Sequence, residues 1–272
     1  MQTFLKNDTI NNFAKNLRIL TLRMVYKGGA SHIASIFSCI DILSVLYFHK
    51  MNFSKKNYNS DIRDKFILSK GHAGAAIYAV MALLKIIPQK DLNKYYKNGS
   101  LFSGHVSHYK VPGIEYSTGS LGSGIGVASG IALAGKLNNQ KSQIFTLLGD
   151  GELNEGSVWE SLLFANHHKL DNLTIIIDRN YYQSILTTEK TLKLNPLREK
   201  FEAFGLDVFE IDGHDVKQIK NSLNKKTKST KVIIANTIKG KGVSFMENDI
   251  KWHYKNPNTE EYTLALKELT NK

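Results

Sequence analysis

Gly149-Asp150-Gly151 and Asn180, with the apolar runs they terminate, constrain this chain more than any other feature. IFTLLGDG ends in the first group and LTIIIDRN in the second, with an amphipathic stretch between them. Such a pattern reads as strand, helix, strand. A βαβ unit of this length makes its two strands parallel, so both polar tips fall at the carboxyl edge of one sheet, where open α/β folds bind ligands. A carboxylate and an amide oxygen converging there suit Mg²⁺ or Ca²⁺ shared with a phosphate group. Gly149 and Gly151 allow backbone to approach that phosphate closely.

Two other readings use the same residues. DGELNEG sets Asp150, Glu152 and Asn154 at alternating positions, as an EF-hand loop does. That loop needs Gly at its sixth position and Glu at its twelfth, and here these are Glu155 and Ser161. Alternatively, the segment is a strand-turn-helix in which Asp150 caps a helix and binds nothing.

Composition narrows the function classes. The 272 residues, 42% of them hydrophobic, can bury one large α/β core. Cys39 is the single cysteine, which excludes an internal disulfide. No apolar stretch has the length of a membrane span, and the N-terminal MQTFLKNDTINNFAKNL lacks a signal-peptide apolar core. These features point to a soluble, cytoplasmic protein with no membrane partner. The net charge of +12 is spread among many Asn and Ile residues, with its densest run at Lys225-Lys226-Thr227-Lys228. No basic stripe interleaved with aromatics accompanies it, so no nucleic-acid partner is expected. The positive field suits anionic cofactors and sugar phosphates.

Elements alternate along the chain. A helix is expected from about Thr9 to Tyr26, stopped by Gly28-Gly29. Ser38 is positioned to cap a second helix, CIDILSVLYFHKM. Phe66-Ile67-Leu68 is a short buried strand leading to Lys70-Gly71-His72 and the small-residue helix AGAAIYAVMALLK. A Gly-rich entry, STGSLGSGIG, opens a further helix. GLDVFEI and KVIIANTI are later strands, and TEEYTLALKELTNK is a terminal helix. Without repeats or Pro-rich linkers, residues 1–272 are expected to form a single domain, a parallel sheet flanked by helices.

The Gly-rich entry does not fit a dinucleotide fingerprint. From Gly122 and Gly124 the third glycine position is Val127, and from Gly124 and Gly126 it is Ser129. It is either a turn whose backbone packs on a flat cofactor or a helix start built for close packing. Among nine histidines, His32, His72, His105 and His253 sit beside small residues or at strand ends. The other five, His49, His108, His167, His168 and His214, read as ordinary loop or core residues.

Taken in order, GGASHIAS, LSKGH, SGH, STGSLGSG, GDGELNEG, IIDRN, IKGKG and WH resemble the N-terminal, thiamine-diphosphate-binding domain of transketolase. The resemblance runs from about residue 15 to 265 and is nearest to the N-terminal subunit of split transketolases, encoded as two chains. A full-length transketolase continues into a second cofactor-binding domain, which this chain does not reach.

The resemblance implies thiamine diphosphate and Mg²⁺ as cofactors, with Ca²⁺ as a possible substitute. Asp150 and Asn180 would give side-chain oxygens to the metal and Tyr182 a backbone carbonyl. His72, Gly151, Lys239 and His253 would contact the cofactor around its diphosphate, and Ser35 would be a further contact. Gly119, Ser120 and Leu121 would line the aminopyrimidine with backbone groups. His32, His105 and His253 would face the reacting carbon and the sugar hydroxyls, and Glu155 would reach a glutamate across the subunit interface. The implied reaction moves a two-carbon ketol unit from a ketose (phosphate) to an aldose (phosphate). The implied partner is a separate C-terminal subunit, two copies of each chain forming the enzyme. Departures are Ser31, Ala34 and Ser35 where the family carries glycines, Ser123 where Gln is usual, and Tyr254 where Gly follows WH. They add bulk near the substrate and leave open a related thiamine-diphosphate enzyme with a specialised donor or acceptor. A non-catalytic module on the same fold is the remaining alternative.

Overall fold

A computed structural model describes residues 9–271. Its centre is a five-stranded, all-parallel sheet in the order β1-β2-β3-β5-β4. The strands are β1 (Lys65–Leu68), β2 (Ile144–Gly149), β3 (Leu173–Arg179), β4 (Asp207–Asp212) and β5 (Lys231–Asn236), and all five were legible in the sequence. β2 and β3 are buried at every position, as expected of parallel strands covered on both faces. Alternate residues of one strand feed two separate cores. Phe145 and Leu147 join one, while Ile144 and Leu148 join the other.

Helices supply the outer layers. On one face lie α1 (Ile10–Gly28), α2 (Ile33–Phe37), α3 (Ile40–Val45), α4 (Gly74–Leu83), α9 (Val216–Asn224) and α10 (Thr259–Asn271). On the other lie α5 (Ser123–Leu137), α6 (Gly156–His167) and α8 (Leu197–Ala203); α7 (Thr188–Thr191) is a single turn following β3. Thr9 caps α1 by accepting from Asn12 N–H at 3.2 Å. Gly29, in the left-handed region at φ 67°, ends it, because that conformation costs glycine no steric penalty. Among the described residues no helix is long and apolar enough to cross a membrane. The N-terminal eight residues, where no signal-peptide core was expected, lie outside the described residues.

The second helix departs from expectation. Ser38 does not cap it; Cys39 occupies the N-cap, and no side chain bonds there. Ser38 Oγ instead donates to Asp178 Oδ2 at 2.6 Å, with Ser35 O at 3.0 Å as a second acceptor. Ser38 is itself the C-cap of α2 in helical conformation, not the extended one of an N-cap, and its hydroxyl gives its proton to the buried carboxylate in a charge-assisted bond. The helix also loosens into a π-helical turn over Leu46–Lys50.

A buried ion pair joins α1 to α3. Arg18 Nη1 and Nη2 reach Asp41 Oδ1 and Oδ2 at 2.9 and 2.6 Å. His214 Nδ1 lies 2.7 Å from Asp41 Oδ2, and His214 Nε2 accepts from Ile238 N–H at 2.8 Å. The carboxylate can only accept, so the two neighbours place the imidazole proton on Nδ1. Burial alone would raise the Asp41 pKa, but the His214 hydrogen bond and the Arg18 charge bring it down to about 2. This depressed carboxyl stabilises the fold above its unfolded value of 3.8 and loses that contribution as pH falls toward 2. We expect Asp41→Asn to cost roughly 3 kcal/mol at neutral pH, read by urea unfolding. The variant should show a flatter loss of stability between pH 4 and 2 than the parent; equal slopes would contradict this role for Asp41.

Candidate active site

The carboxyl edge of the sheet is organised around a charge pair. After β1 the chain turns through Ser69-Lys70-Gly71, with Ser69 and Lys70 N–H both donating to Leu147 O at 2.9 and 3.1 Å. The turn is tight: a Cβ on Gly71 would lie 2.6 Å from Thr118 O. Lys70, fully buried, points its ammonium at Asp178 Oδ2 and at Ser35 O, the latter at 2.9 Å. Asp178 also accepts from Ser38 and Thr237 hydroxyls and, at 3.4 Å, from Asn180 Nδ2. One carboxylate thus ties together α2, β1, β3 and the end of β5.

Asp150 and Asn180 follow β2 and β3, which are in register with Gly149 opposite Asp178. Asp150 N–H donates to Asp178 O at 3.2 Å, bringing both tips to one place. Asp150 Oδ1 accepts from Gly151 N–H at 2.8 Å and Oδ2 from Tyr181 N–H at 2.6 Å. Burial and the nearby Asp178 charge push its pKa up to about 6, against the weaker pull of Arg179. A carboxylate so short of positive charge suits a divalent cation. Asn180 is held by Tyr182 N–H, donating to Oδ1 at 3.1 Å, which leaves that oxygen a second lone pair. Among the described residues no three His, Cys, Asp or Glu side chains converge as a metal cage. The donor set of one carboxylate, one amide and backbone oxygens therefore fits Mg²⁺ completed by phosphate oxygens rather than a protein-only metal site.

Four histidines from four segments gather beside these groups. His32 has ring-centre distances of 5.2 Å to His72, 6.0 Å to His105 and 5.0 Å to His253. His32 itself sits at φ 71°, a conformation rarely kept by a non-glycine residue without surrounding constraint. The constraint is visible: its N–H donates to His253 O at 2.8 Å and its Nδ1 lies 2.6 Å from Ser31 Oγ. Burial lowers His32 to about 4 and His253 to about 3, helped by neighbouring His105 for the first and by Lys239 for the second. Burial also holds His72 well below the usual value. These three are neutral imidazoles near pH 7, able to accept and donate at hydroxyl groups.

Lys239 supplies the uncompensated charge. Its buried Nζ lies 2.9 Å from His253 Nδ1 and 3.4 Å from Gln183 O, with no carboxylate in ion-pair reach among the described residues. Burial and Lys70 lower its pKa to about 8, which still leaves an ammonium at neutral pH for an anion. Because Lys239 donates to Nδ1, the His253 ring proton resides on Nε2.

The Gly-rich entry forms a turn, not a dinucleotide loop. Gly122, at φ 79°, is the N-cap of α5, and a Cβ on Gly124 would lie 2.6 Å from Ser69. Glu152 clamps the turn: Oε1 accepts from Ser69 Oγ at 2.5 Å and Gly122 N–H at 2.8 Å, and Oε2 from Gly149 N–H at 3.2 Å. Gly119 sits where a Cβ would touch the His105 ring at 3.5 Å.

These elements surround a cavity of about 230 Å³. Of the residues singled out in the sequence, His32, Ser35, His72, His105, Gly119, Leu121, Asp150, Gly151, Asn180, Tyr182 and His253 line it. Lys239 backs it through His253. Ser120 and Glu155 lie outside the lining, both exposed, with Glu155 at the N-cap of α6. Residues to which the resemblance gave no role also belong to the site: Lys70, Glu152 and Gln183 line the cavity, as does Tyr254, noted in the sequence as a departure that adds bulk, and Asp178 and Arg179 lie behind it. Charged residues inside apolar motifs, as in LSKGH and IIDRN, were the available signal. A separate groove of about 320 Å³ between α1 and Gln89–Lys94 carries none of this chemistry.

Comparison with known proteins gives a consistent picture. The family described as transketolase, thiamine diphosphate binding domain, matches residues 9–269. An apulose-4-phosphate transketolase subunit of Phocaeicola vulgatus is 37% identical over 266 residues, covering 97% of this chain and 94% of that protein. The protein of the same name from Actinobacillus succinogenes is 40% identical over 269 residues, covering 97% of each. A 6-deoxy-6-sulfo-D-fructose transketolase subunit of a Clostridium species is 36% identical over 259 residues, covering 94% of each. The solved transketolase of Campylobacter jejuni superposes with a TM-score of 0.89 at 32% identity, covering 96% of this chain and 42% of that one. The chain thus spans about two-fifths of that solved enzyme.

The Lys70–Asp178 pair yields a stability prediction. Asp178→Asn leaves a buried ammonium without its counter-charge, and a loss of roughly 3–5 kcal/mol is expected, measured by guanidinium unfolding. A loss below about 1 kcal/mol, the range of exposed pairs, would show that the pair does not organise the edge.

Proposed function

This chain belongs to the transketolase family through its thiamine-diphosphate-binding domain, and we propose that it is the N-terminal-type subunit of a two-chain transketolase, folded as one domain. It transfers a two-carbon ketol unit between sugar phosphates with thiamine diphosphate and Mg²⁺. The observation that carries this reading is the meeting of Asp150 and Asn180 with the histidine cluster around one cavity, backed by the ammonium of Lys239. The end-to-end match to proteins named as subunits, against 42% coverage of the Campylobacter enzyme, supports a separate partner chain.

When bound, the cofactor supplies the carbanion chemistry by which two carbons leave a ketose and join an aldose. The residues of this chain bind and orient. Asp150, Asn180 and the Tyr182 carbonyl hold the metal, and Lys239 with His72 and Gly151 holds the diphosphate. Ser35 is a further contact, and Gly119, Ser120 and Leu121 present backbone to the aminopyrimidine. His32, His105 and His253 exchange protons with substrate hydroxyls; the Nε2–H of His253 is a donor because Lys239 occupies the other nitrogen. Glu155, exposed at the N-cap of α6, would reach the partner subunit, which would contribute the group that activates the aminopyrimidine. Two copies of each chain would give two active sites.

In the enzyme assembled with its partner, Asp150→Ala should weaken Mg²⁺-dependent thiamine diphosphate binding at least about tenfold, measured by calorimetry; unchanged affinity would remove Asp150 from the metal site. The purified 272-residue chain should show no ketol transfer by itself and gain it on mixing with the partner subunit. Full turnover by the single chain would overturn the two-chain reading.

A further inference from the structure

Arg179 ends β3 directly before Asn180, and its side chain is 2% exposed. Nη1 reaches Asp150 Oδ2 at 3.4 Å and Thr188 Oγ1 at 2.8 Å; Nη2 reaches Glu189 Oε1 at 3.0 Å and Asn195 Oδ1 at 3.4 Å. The guanidinium carbon lies 4.5 Å from the centre of the Tyr181 ring. Tyr181 is the residue whose N–H donates to the same Asp150 oxygen, and it sits in the left-handed region at φ 69°. Its carbonyl accepts from Thr188 N–H at 3.0 Å and its hydroxyl donates to Asn236 at 2.7 Å.

One guanidinium therefore touches Asp150 on one side and three points of the following segment, Thr188, Glu189 and Asn195, on the other. Between those points the chain runs out through Tyr182, Gln183 and Ser184 on the cavity wall and returns, Tyr182 bridging to Thr187. Simple electrostatics argues against a cation here, since it repels a divalent metal at the same carboxylate. Its retention in a buried place makes sense through geometry: a planar fork with several fixed donors holds several acceptors at once.

We propose that Arg179 is a positioning residue that couples the Asp150 carboxylate to segment 181–195, so that metal binding and the order of that segment rise and fall together. The proposal rests on the reading of Asp150 as a metal ligand. It implies that removing the positive charge weakens Mg²⁺ binding, the reverse of the Coulomb expectation, because the carboxylate and the Tyr182 carbonyl lose their common support. It also implies that bound Mg²⁺ and thiamine diphosphate protect the segment from proteolysis.

The test uses the chain assembled with its partner subunit. Mg²⁺ dependence of thiamine diphosphate binding is followed by calorimetry, and tryptic cleavage after Lys190 and Lys193 by mass spectrometry. In Arg179→Met the half-saturating Mg²⁺ should rise about tenfold, cleavage should accelerate, and ligand should no longer protect. Arg179→Lys keeps the charge but not the fork and should behave like Arg179→Met. Glu189→Gln, on the far side of the bridge from Asp150, should shift both readouts in the same direction by a smaller factor, and carries the test with Arg179→Lys if Arg179→Met fails to fold. Mg²⁺ binding as tight as or tighter than the parent in the Arg179 variants, or an unchanged segment in Glu189→Gln, overturns the proposal. Asp150→Ala separates the two claims: if it leaves Mg²⁺ dependence unchanged, the metal assignment itself fails; if it abolishes that dependence while the Arg179 variants keep it, only the positioning role fails.

Discussion

The ion pair between Lys70 and Asp178 is the interaction on which the sheet edge depends. Both side chains are fully buried, and the carboxylate also takes hydroxyls from Ser38 and Thr237. Taking two charges out of water is costly, and the cost is offset only when geometry is good and remaining lone pairs are filled. Here they are filled from segments more than a hundred residues apart in sequence. The pair brings the Lys70-Gly71-His72 turn, the Ser35 helix and the Asn180 loop to one point, and Asn180 itself leans on the Asp178 carboxylate. Without this anchor Asp150, Asn180 and the histidines have no common frame.

Charge is partitioned around that anchor. Lys70 is neutralised by Asp178, which burial would otherwise protonate; the lysine and its hydrogen bonds lower its pKa instead. Lys239 has no such partner among the described residues and remains available to an anion. His32, His72 and His253 are kept neutral by burial and by neighbouring charged groups, so they do not add to the positive field. Asp150, the remaining carboxylate facing the cavity beside Glu152, is short of compensation because Glu152 is occupied by three donors and Asp150 has Arg179 only at 3.4 Å. The site is thus asymmetric, with a place for a cation at one end and a place for an anion at Lys239.

Legibility followed physical range. β1, β2, β3 and β5 were readable because a parallel sheet covered on both faces demands apolar runs such as LTIIID, and the edge strand β4 was readable from the alternation in DVFEI. The ends of α1 were readable because capping is local, as at Thr9 and Gly29. Ser38 misled because its hydroxyl serves Asp178, 140 residues away, rather than its own helix. The short α2 carried no cap signal, since its N-cap, His32, is held in a left-handed conformation by contacts with His253. Lys70, Glu152 and Arg179 stood inside quoted motifs, but a charged residue in a motif does not announce its counter-ion.

The sequence by itself determined the strand pattern, the parallel connection between GDG and Asn180, and, through the ordered motifs, the family. Those properties depend on local hydrophobic periodicity, turn chemistry and residue order, all of which are written along the chain. Only the tertiary structure decided which histidines share a cluster, which lysine is spent on an ion pair and which stays free, and how Arg179 spans Asp150 and the segment beyond it. These depend on distances between residues far apart in sequence and on burial, which sets both pKa values and the need for partners. Neither quantity exists until the sheet and its helices have packed.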